Sequence, residues 1–318
     1  MKTALALALG LIAALGCAGD PPVAPPKLLS AWGESGHAPG QLFRPTGIAV
    51  SPDGSVYVAD TGNDRIQVFD ADGTYRRSFG STGDARGQFR RPMDLDIDAA
   101  GRVYVAELGG DRVQVFTAQG EWLSEIRGET TKAGSFDGSA GVWVSPGGDV
   151  FVADFYHDRV VHFGPSGGLR GILGRSGRAL PGRLHYPTDV EGIDGAIVVG
   201  DAYNNRVQAF GPDGASEWRL GGPLGLGIPG SWAGWFRVAT GIASDATGRL
   251  YVADFKNDRI QVFDRDRNLV TIFGHKGAGP GAFEHPTDLD IGPDGRIHVV
   301  DFGNDRVQVF APIGSAPS

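Results

Sequence analysis

The chain is poor in the residues that most small-site chemistry needs. It has one cysteine, Cys17, in 318 residues, so it can form no internal disulfide and carries no C-x-x-C metal or redox motif. It has no run of five or more Lys/Arg, and its formal net charge is −8. Nucleic-acid binding draws on a basic face that displaces phosphate counterions, and this balance argues against it. No nucleophile elbow or phosphate loop stands out. Gly-x-Gly combinations carry little weight where 51 residues are Gly.

What is present is Gly, Pro and short apolar runs. The 51 Gly and 20 Pro accompany a 41% apolar fraction, which describes short strands joined by turns and not disorder. Length alone suggests about two domains; the repeats below make it one.

The first residues, MKTALALALGLIAALGC, have the shape of a secretory signal. Lys2 supplies the positive start, and residues 4–15 are apolar but too short to span a bilayer comfortably. The stretch ends in Ala14-Leu15-Gly16-Cys17, where small residues precede the sole cysteine, although Ala14 stands where a lipobox more often has Leu. Two readings are open: an ordinary cleaved signal with an incidental cysteine, or lipidation of Cys17. The second is the expectation, because the only cysteine sits at the cleavage point. Asp20 falls too late to be the usual inner-membrane retention signal, so the outer membrane is favoured, on its periplasmic or cell-surface side. Residues 18–26 read as a stiff Pro-rich tether, 27–310 as the folded body and 311–318 as a tail.

Internal repeats decide the fold. Six blocks align without gaps: VYVADTGNDRIQVF from Val56, VYVAELGGDRVQVF from Val103, VFVADFYHDRVVHF from Val150, IVVGDAYNNRVQAF from Ile197, LYVADFKNDRIQVF from Leu250 and IHVVDFGNDRVQVF from Ile297. Each holds two β-rich runs around a tight turn. A further strand precedes each block by about ten residues, and a fourth follows, ending near Gly. Four antiparallel strands per repeat make one propeller blade. After Phe310 only APIGSAPS remains, so the sixth blade lacks its outer strand. KLLSAWG at 27–33 matches that pattern and is expected to complete the last blade and close the ring.

The pattern G-x-F…P-x-G/D-[IL]…V-Y-V-A-D-x-x-N-x-R-[IV]-Q-V-F resembles the NHL repeat over 27–310. The resemblance implies an all-β, six-bladed, NHL/TolB-like propeller. Kelch propellers have a similar period, but their double-glycine signature is absent. Some NHL propellers are similar to peptidyl-hydroxyglycine lyases, whose zinc-binding histidines follow the motif proline. The matching residues here are Thr46, Met93, Ala140, Thr188, Thr240 and Thr287, so no zinc site of that kind is implied. His185 and His285 stand just before motif prolines and are read as rim residues. Other NHL proteins bind RNA or belong to ubiquitin ligases; the partner domains of the latter are missing here.

Sixfold pairs are read as blade devices: Asp60/Arg65, Glu107/Arg112, Asp154/Arg159, Asp201/Arg206, Asp254/Arg259 and Asp301/Arg306, each Arg fixing the acid across its turn. Asn63, Asn204, Asn257 and Asn304 are expected in the left-handed region of those turns. Positions that break the repeat are better clues to function. On the innermost strands, Gly47, Gly141 and Gly241 alternate with Asp94, Asp189 and Asp288. Two residues on, Ala49, Trp143 and Ala243 alternate with Asp96, Glu191 and Asp290. Strand period two puts both positions on one side, near the axis. The channel is thus expected to hold two rings of three carboxylates. Two readings stand: a water-filled channel, or a cation site suited to Ca²⁺.

The loop before blade five carries six extra residues, with Leu224, Leu226, Ile228, Trp232, Trp235 and Phe236 in 222–236. It reads either as a partner lip or as a plug packed on the core. The functional expectation is a non-catalytic cell-envelope module, expected as a monomer, binding a protein, peptide or glycan at its loop face and touching the membrane only through its lipid. The alternative is an extracytoplasmic hydrolase or lyase using a cation held by the channel carboxylates, since propellers resembling lactonases use a central Ca²⁺.

Overall fold

A computed structural model describes residues 21, 23–128 and 135–314. The expected signal segment with Cys17, residues 18–20 and 22 of the tether, and 315–318 of the tail lie outside the described residues.

Six four-stranded antiparallel sheets follow one another around an axis. Blade one runs from its inner strand Ile48–Val50 through Val56–Asp60 and Arg65–Phe69 to its outer strand Tyr75–Phe79. Blade six takes its first three strands from Pro286–Ile291, Ile297–Asp301 and Arg306–Phe310, and its outer strand from Leu28–Trp32. Leu28 faces Phe310 and Trp32 faces Val307, so the N-terminal strand closes the ring, which leaves no terminal blade with an open face. The tail continues the closure: the Ala311 amide donates to Lys27 O, Arg249 donates to Ile313 O, and Ile313 is buried.

The two middle strands of each blade bury side chains on both faces, as Val56–Asp60 and Arg65–Phe69 do, because neighbouring sheets cover both. Their near-continuous apolar sequence follows from that double burial. The core forms between blades; Tyr57, Ile66 and Val68 of blade one pack with Leu95, Val105 and Phe116 of blade two.

The sixfold ion pairs lie at the turn between those middle strands. Arg Nε donates to the acid at 2.7 Å in Arg65–Asp60, Arg159–Asp154 and Arg206–Asp201, at 2.6 Å in Arg112–Glu107, and at 2.8 Å in Arg259–Asp254 and Arg306–Asp301. All six acids are fully buried. The arginines also hold the incoming loop: Arg206 donates to the carbonyls of Ala179, Leu180 and Arg183. Each clamp therefore joins a turn to the loop that enters its own blade.

The turn asparagines do not adopt the left-handed conformation expected of them. Asn63, Asn204, Asn257 and Asn304 lie in short 3₁₀ turns and donate to the clamp acid, as Asn63 Nδ2 does to Asp60 at 2.9 Å. The left-handed residue is the next one, at Asp64, Asp111, Asp158, Asn205, Asp258 and Asp305. Its short side chain suits that conformation, and its oxygen accepts the amide of Arg91, Gly138, Tyr186, Val238, His285 or Arg44 in the following blade. The position serves as a strap between blades.

Burial holds Asp201 above its ordinary carboxylate value even though Arg206 and Asn204 pull the other way. Such a pair depends on both partners, since removing one strands the other in a desolvated site. Arg206→Ala should therefore destabilise the domain by roughly 3–5 kcal/mol, read as a fall in the midpoint of denaturant unfolding with an unchanged slope.

Candidate functional site

Each inner strand except blade one's opens with a β-bulge just after the motif proline position; in blade two, Pro92 faces Glu107 and Asp94 faces Ala106, leaving Met93 extra. A bulge re-aims the chain where it enters the sheet. It sets Thr46, Met93, Ala140, Thr188, Thr240 and Thr287 around the channel mouth, with Asp94, Asp189 and Asp288 just behind them. Thr46 donates to Met93 O, Thr188 to Thr240 O and Thr240 to Pro286 O, so half of this ring is tied to the next blade. The mouth cavity is about 70 Å³ and the one below it about 50 Å³. Ligand pockets run to roughly 300–1,000 Å³, so the channel has room for water but not for a substrate of ordinary size.

The six carboxylates do meet in this channel, and five of them accept an amide of the next blade. Asp94 accepts the Val142 amide at 2.9 Å, Asp189 the Ile242 amide at 2.7 Å and Asp288 the Ile48 amide at 2.9 Å. In the second ring, Asp96 accepts from Val144 at 2.6 Å and Asp290 from Val50 at 2.7 Å. Blades two, four and six thus satisfy the inner-edge amides of blades three, five and one. The alternating glycines answer a second close approach, on the side of the following blade. A Cβ on Gly47, Gly141 or Gly241 would lie 2.7, 2.6 or 2.5 Å from the Cα of Asp94, Asp189 or Asp288.

Burial pushes Asp94, Glu191 and Asp288 well above the ordinary carboxylate range, with repulsion from neighbouring acids adding to it. It pushes Asp96 and Asp189 up to about 7 and Asp290 to about 6, against the amides that stabilise their charge. The donor set does not fit the Ca²⁺ of the second channel reading: five of the six acids point an oxygen at a backbone amide, and among the described residues no three His, Cys, Asp or Glu are arranged to hold a metal ion. No His stands at the mouth positions.

The 222–236 loop divides in two. Phe236 is not part of any lip; it is fully buried between blades four and five, because the chain re-enters the core there. Leu224, Leu226, Ile228 and Trp232 are exposed, Leu224 at 84%, and Trp235 packs edge-on to Trp232. The backbone is pressed onto blade four, since a Cβ on Gly227 would lie 1.8 Å from Asn204 O. The loop therefore packs down with its backbone and turns its apolar side chains outward.

Sequence reasoning missed a pocket on the mouth face. It lies beside the mouth across blades two to four, measures about 320 Å³, and is lined by Arg91, Met93, Leu108, Ala140, Phe155, Tyr156, Tyr186, Thr188 and Tyr203. Phe155 and Tyr186 stack at 4.7 Å and 8°. Tyr156 and Tyr203 stand nearly perpendicular to them, at 5.9 and 5.0 Å from Tyr186, and are 49% and 51% exposed. His185 stacks outside on Tyr186 at 4.4 Å, and His285 stacks on Phe255 at 4.7 Å in blade six's rim. The signal was available: the two residues after the clamp acid are Thr-Gly, Leu-Gly, Phe-Tyr, Ala-Tyr, Phe-Lys and Phe-Gly around the ring, and Tyr follows the acid by two only in blades three and four.

The channel makes a pH prediction with a definite sign. A carboxyl whose folded pKa is raised binds more protons when folded, so its contribution is full below the unfolded value near 3.9 and is lost as pH rises through the folded value. Asn imitates protonated Asp at position 96. Asp96→Asn should match the native protein in stability near pH 4 and exceed it by up to a few kcal/mol at pH 8, the gap opening between pH 4 and about 7. Unfolding midpoints across that range check it.

Comparison with known proteins agrees with this architecture. The family model for the SMP-30/Gluconolactonase/LRE-like region matches residues 37–136, and that for the NHL repeat matches 236–263. The chain is 49% identical over 45 residues to the B-box type zinc finger protein ncl-1 of Caenorhabditis elegans, and 44% identical over 48 residues to Protein brain tumor of Drosophila melanogaster. These stretches cover 14% and 15% of this chain and 5% of either relative. Among solved structures, a streptogramin B lyase superposes with TM-score 0.60 at 17% identity, over 91% of this chain and 97% of that one. A protein of unknown function from Bacteroides thetaiotaomicron gives 0.70 at 17%, over 90% and 76%, and a putative gluconolactonase 0.61 at 16%, over 88% and 92%. At such identities the likeness shows the fold alone. The chain is a six-bladed β-propeller whose fifth blade matches the NHL repeat.

Proposed function

We propose that this propeller is a non-catalytic binding module of the cell envelope, with its ligand site on the mouth face across blades two to four. The aromatic box is the observation that carries the reading. It has the volume of a ligand pocket and presents two half-exposed tyrosines on a rigid scaffold, whereas the channel is narrow and five of its six acids accept an amide of the next blade.

The point where the N-terminal segment joins the body supports an envelope role. Val23 donates its amide to Val270 O at 3.2 Å, and Leu28 pairs with Phe310. Both partners lie toward the end of the blade opposite the mouth, where strands three and four of a blade are joined. Five residues lie between Cys17 and Val23, six Cα steps and a reach of roughly 20 Å at full extension. A lipid on Cys17 would hold the far face near the membrane and present the box and the Leu224–Trp232 lip outward.

The alternative, a metal-assisted hydrolase or lyase, draws on the names of the structural neighbours and on the partial SMP-30/gluconolactonase match. The donor geometry of the channel speaks against it.

Two measurements test the proposal. Fatty-acid labelling in the native host should mark the full-length protein and fail for Cys17→Ser; equal labelling of both removes the anchor. Replacing Tyr156 and Tyr203 by Ala should abolish binding to whichever peptide or saccharide the native protein retains from a defined panel, with stability changed by only about 1 kcal/mol because both rings are half exposed. Metal retained at one ion per chain, with a melting point lowered by EDTA, would favour the enzyme instead.

A further inference from the structure

The box contains more than aromatic rings. Its only ionic lining residue is Arg91, and none of its nine lining residues is acidic, in a chain of net charge −8. Arg91 is fixed at both ends of its backbone: its amide donates to Asp64, and its carbonyl accepts from Leu108. Its guanidinium makes no hydrogen bond or ion pair with any described residue. This sets it apart from its neighbours, since Arg90 pairs with Asp84 and Arg112 with Glu107. The hydroxyls of Tyr156, Tyr186 and Tyr203 likewise have no hydrogen-bond partner among the described residues. Arg91 and Tyr186 occupy equivalent positions at the entries of blades two and four, which flank blade three, both in the left-handed conformation with φ of 54° and 53°. The strap from the preceding turn imposes that conformation in every blade, so the side chain there is free to vary while the backbone stays fixed.

We infer that the box binds an acidic saccharide, a pyranose ring bearing a carboxylate; this rests on the binding reading above. The C–H face of a sugar ring suits the exposed faces of Tyr156 and Tyr203, its hydroxyls match the free tyrosine hydroxyls, and its carboxylate matches the free fork of Arg91. A flat hydrocarbon ligand would leave those hydroxyls and the guanidinium without partners. A cationic ligand, otherwise suited to an aromatic cage, would face Arg91.

The test is titration calorimetry of the propeller with trigalacturonate, sialyllactose and their neutral counterparts galactotriose and lactose. At least one acidic sugar should bind, its affinity should exceed that of its neutral counterpart by about tenfold or more, and raising the salt should narrow the gap. Arg91→Gln should remove that preference and leave residual binding of the neutral sugar unchanged, whereas Tyr203→Ala should weaken both. Equal binding of acidic and neutral sugars, with loss in Tyr203→Ala, overturns the acidic preference and leaves the binding module standing. Binding of none of the four overturns the saccharide inference; a peptide ligand lost in the Tyr156/Tyr203 variant would then still uphold the binding module.

Discussion

The inner edge of each blade sets the constraint on which the rest depends. Closing six sheets into a ring joins the first blade to the last, but it still leaves six inner strands whose outward amides face the axis. Buried amides need acceptors. For blades one, three and five the acceptors come from the neighbouring blade, where Asp94, Asp189 and Asp288 reach across to Val142, Ile242 and Ile48. In blades two, four and six the acids accept from their own strand, as Asp96, Asp189 and Asp290 do from Ile97, Val190 and Ile291. Several features follow from that one solution. The blades whose amides donate also carry Gly47, Gly141 and Gly241, against which the backbones of Asp94, Asp189 and Asp288 in the following blade come close. The acids are buried beside one another and so are held toward neutrality. The channel is left too narrow for a substrate. A pattern of alternating acid and glycine, which resembles a ligand set in sequence, is the means by which odd and even blades interlock.

The outer part of each blade is fixed by a different device with the same economy. The clamp acid, its arginine and the left-handed strap residue together hold the turn, the incoming loop and the next blade's entry. Since these contacts are made largely by the clamp and by backbone atoms of the loop, the side chains at the entry position are released from structural duty. Around the ring they are Arg44, Arg91, Gly138, Tyr186, Val238 and His285. Variation at a rigidly held position is what a recognition surface requires.

The fold was legible because its determinants repeat. Six copies of one block, turn residues at fixed offsets and a missing outer strand at the C-terminal end together define blade number and closure, and Leu28–Trp32 lies where that logic puts it. The site was less legible for two reasons. Spacing placed the acids around one axis, but the side to which a carboxylate oxygen turns depends on a neighbour 48 residues away, as with Asp96 and Val144. The aromatic box draws Arg91, Phe155, Tyr186 and Tyr203 from three blades, and no local pattern unites them. Phe236 shows the opposite failure: apolar neighbours drew it into a surface loop in the reading, although it begins the next blade's core.

The departures from regularity concentrate in one sector. In the second ring Asp96 and Asp290 each bind an amide of the next blade, but Glu191 accepts none from blade five. At the matching odd-blade position Trp143 replaces the alanines of blades one and five. Its ring requires Gly192 where the other even blades have Ile97 and Ile291, since a Cβ there would meet it at 2.0 Å. Blades three and four therefore depart from the pattern in the channel, through a large-for-small exchange, and at the rim, through Tyr156, Tyr186 and Tyr203. A change confined to the rim would leave the channel untouched, and one confined to packing would not place half-exposed tyrosines around a pocket. The coincidence of both in adjoining blades, with the chain's entry held at blades five and six, gives the propeller a specialised side on an otherwise repeating ring.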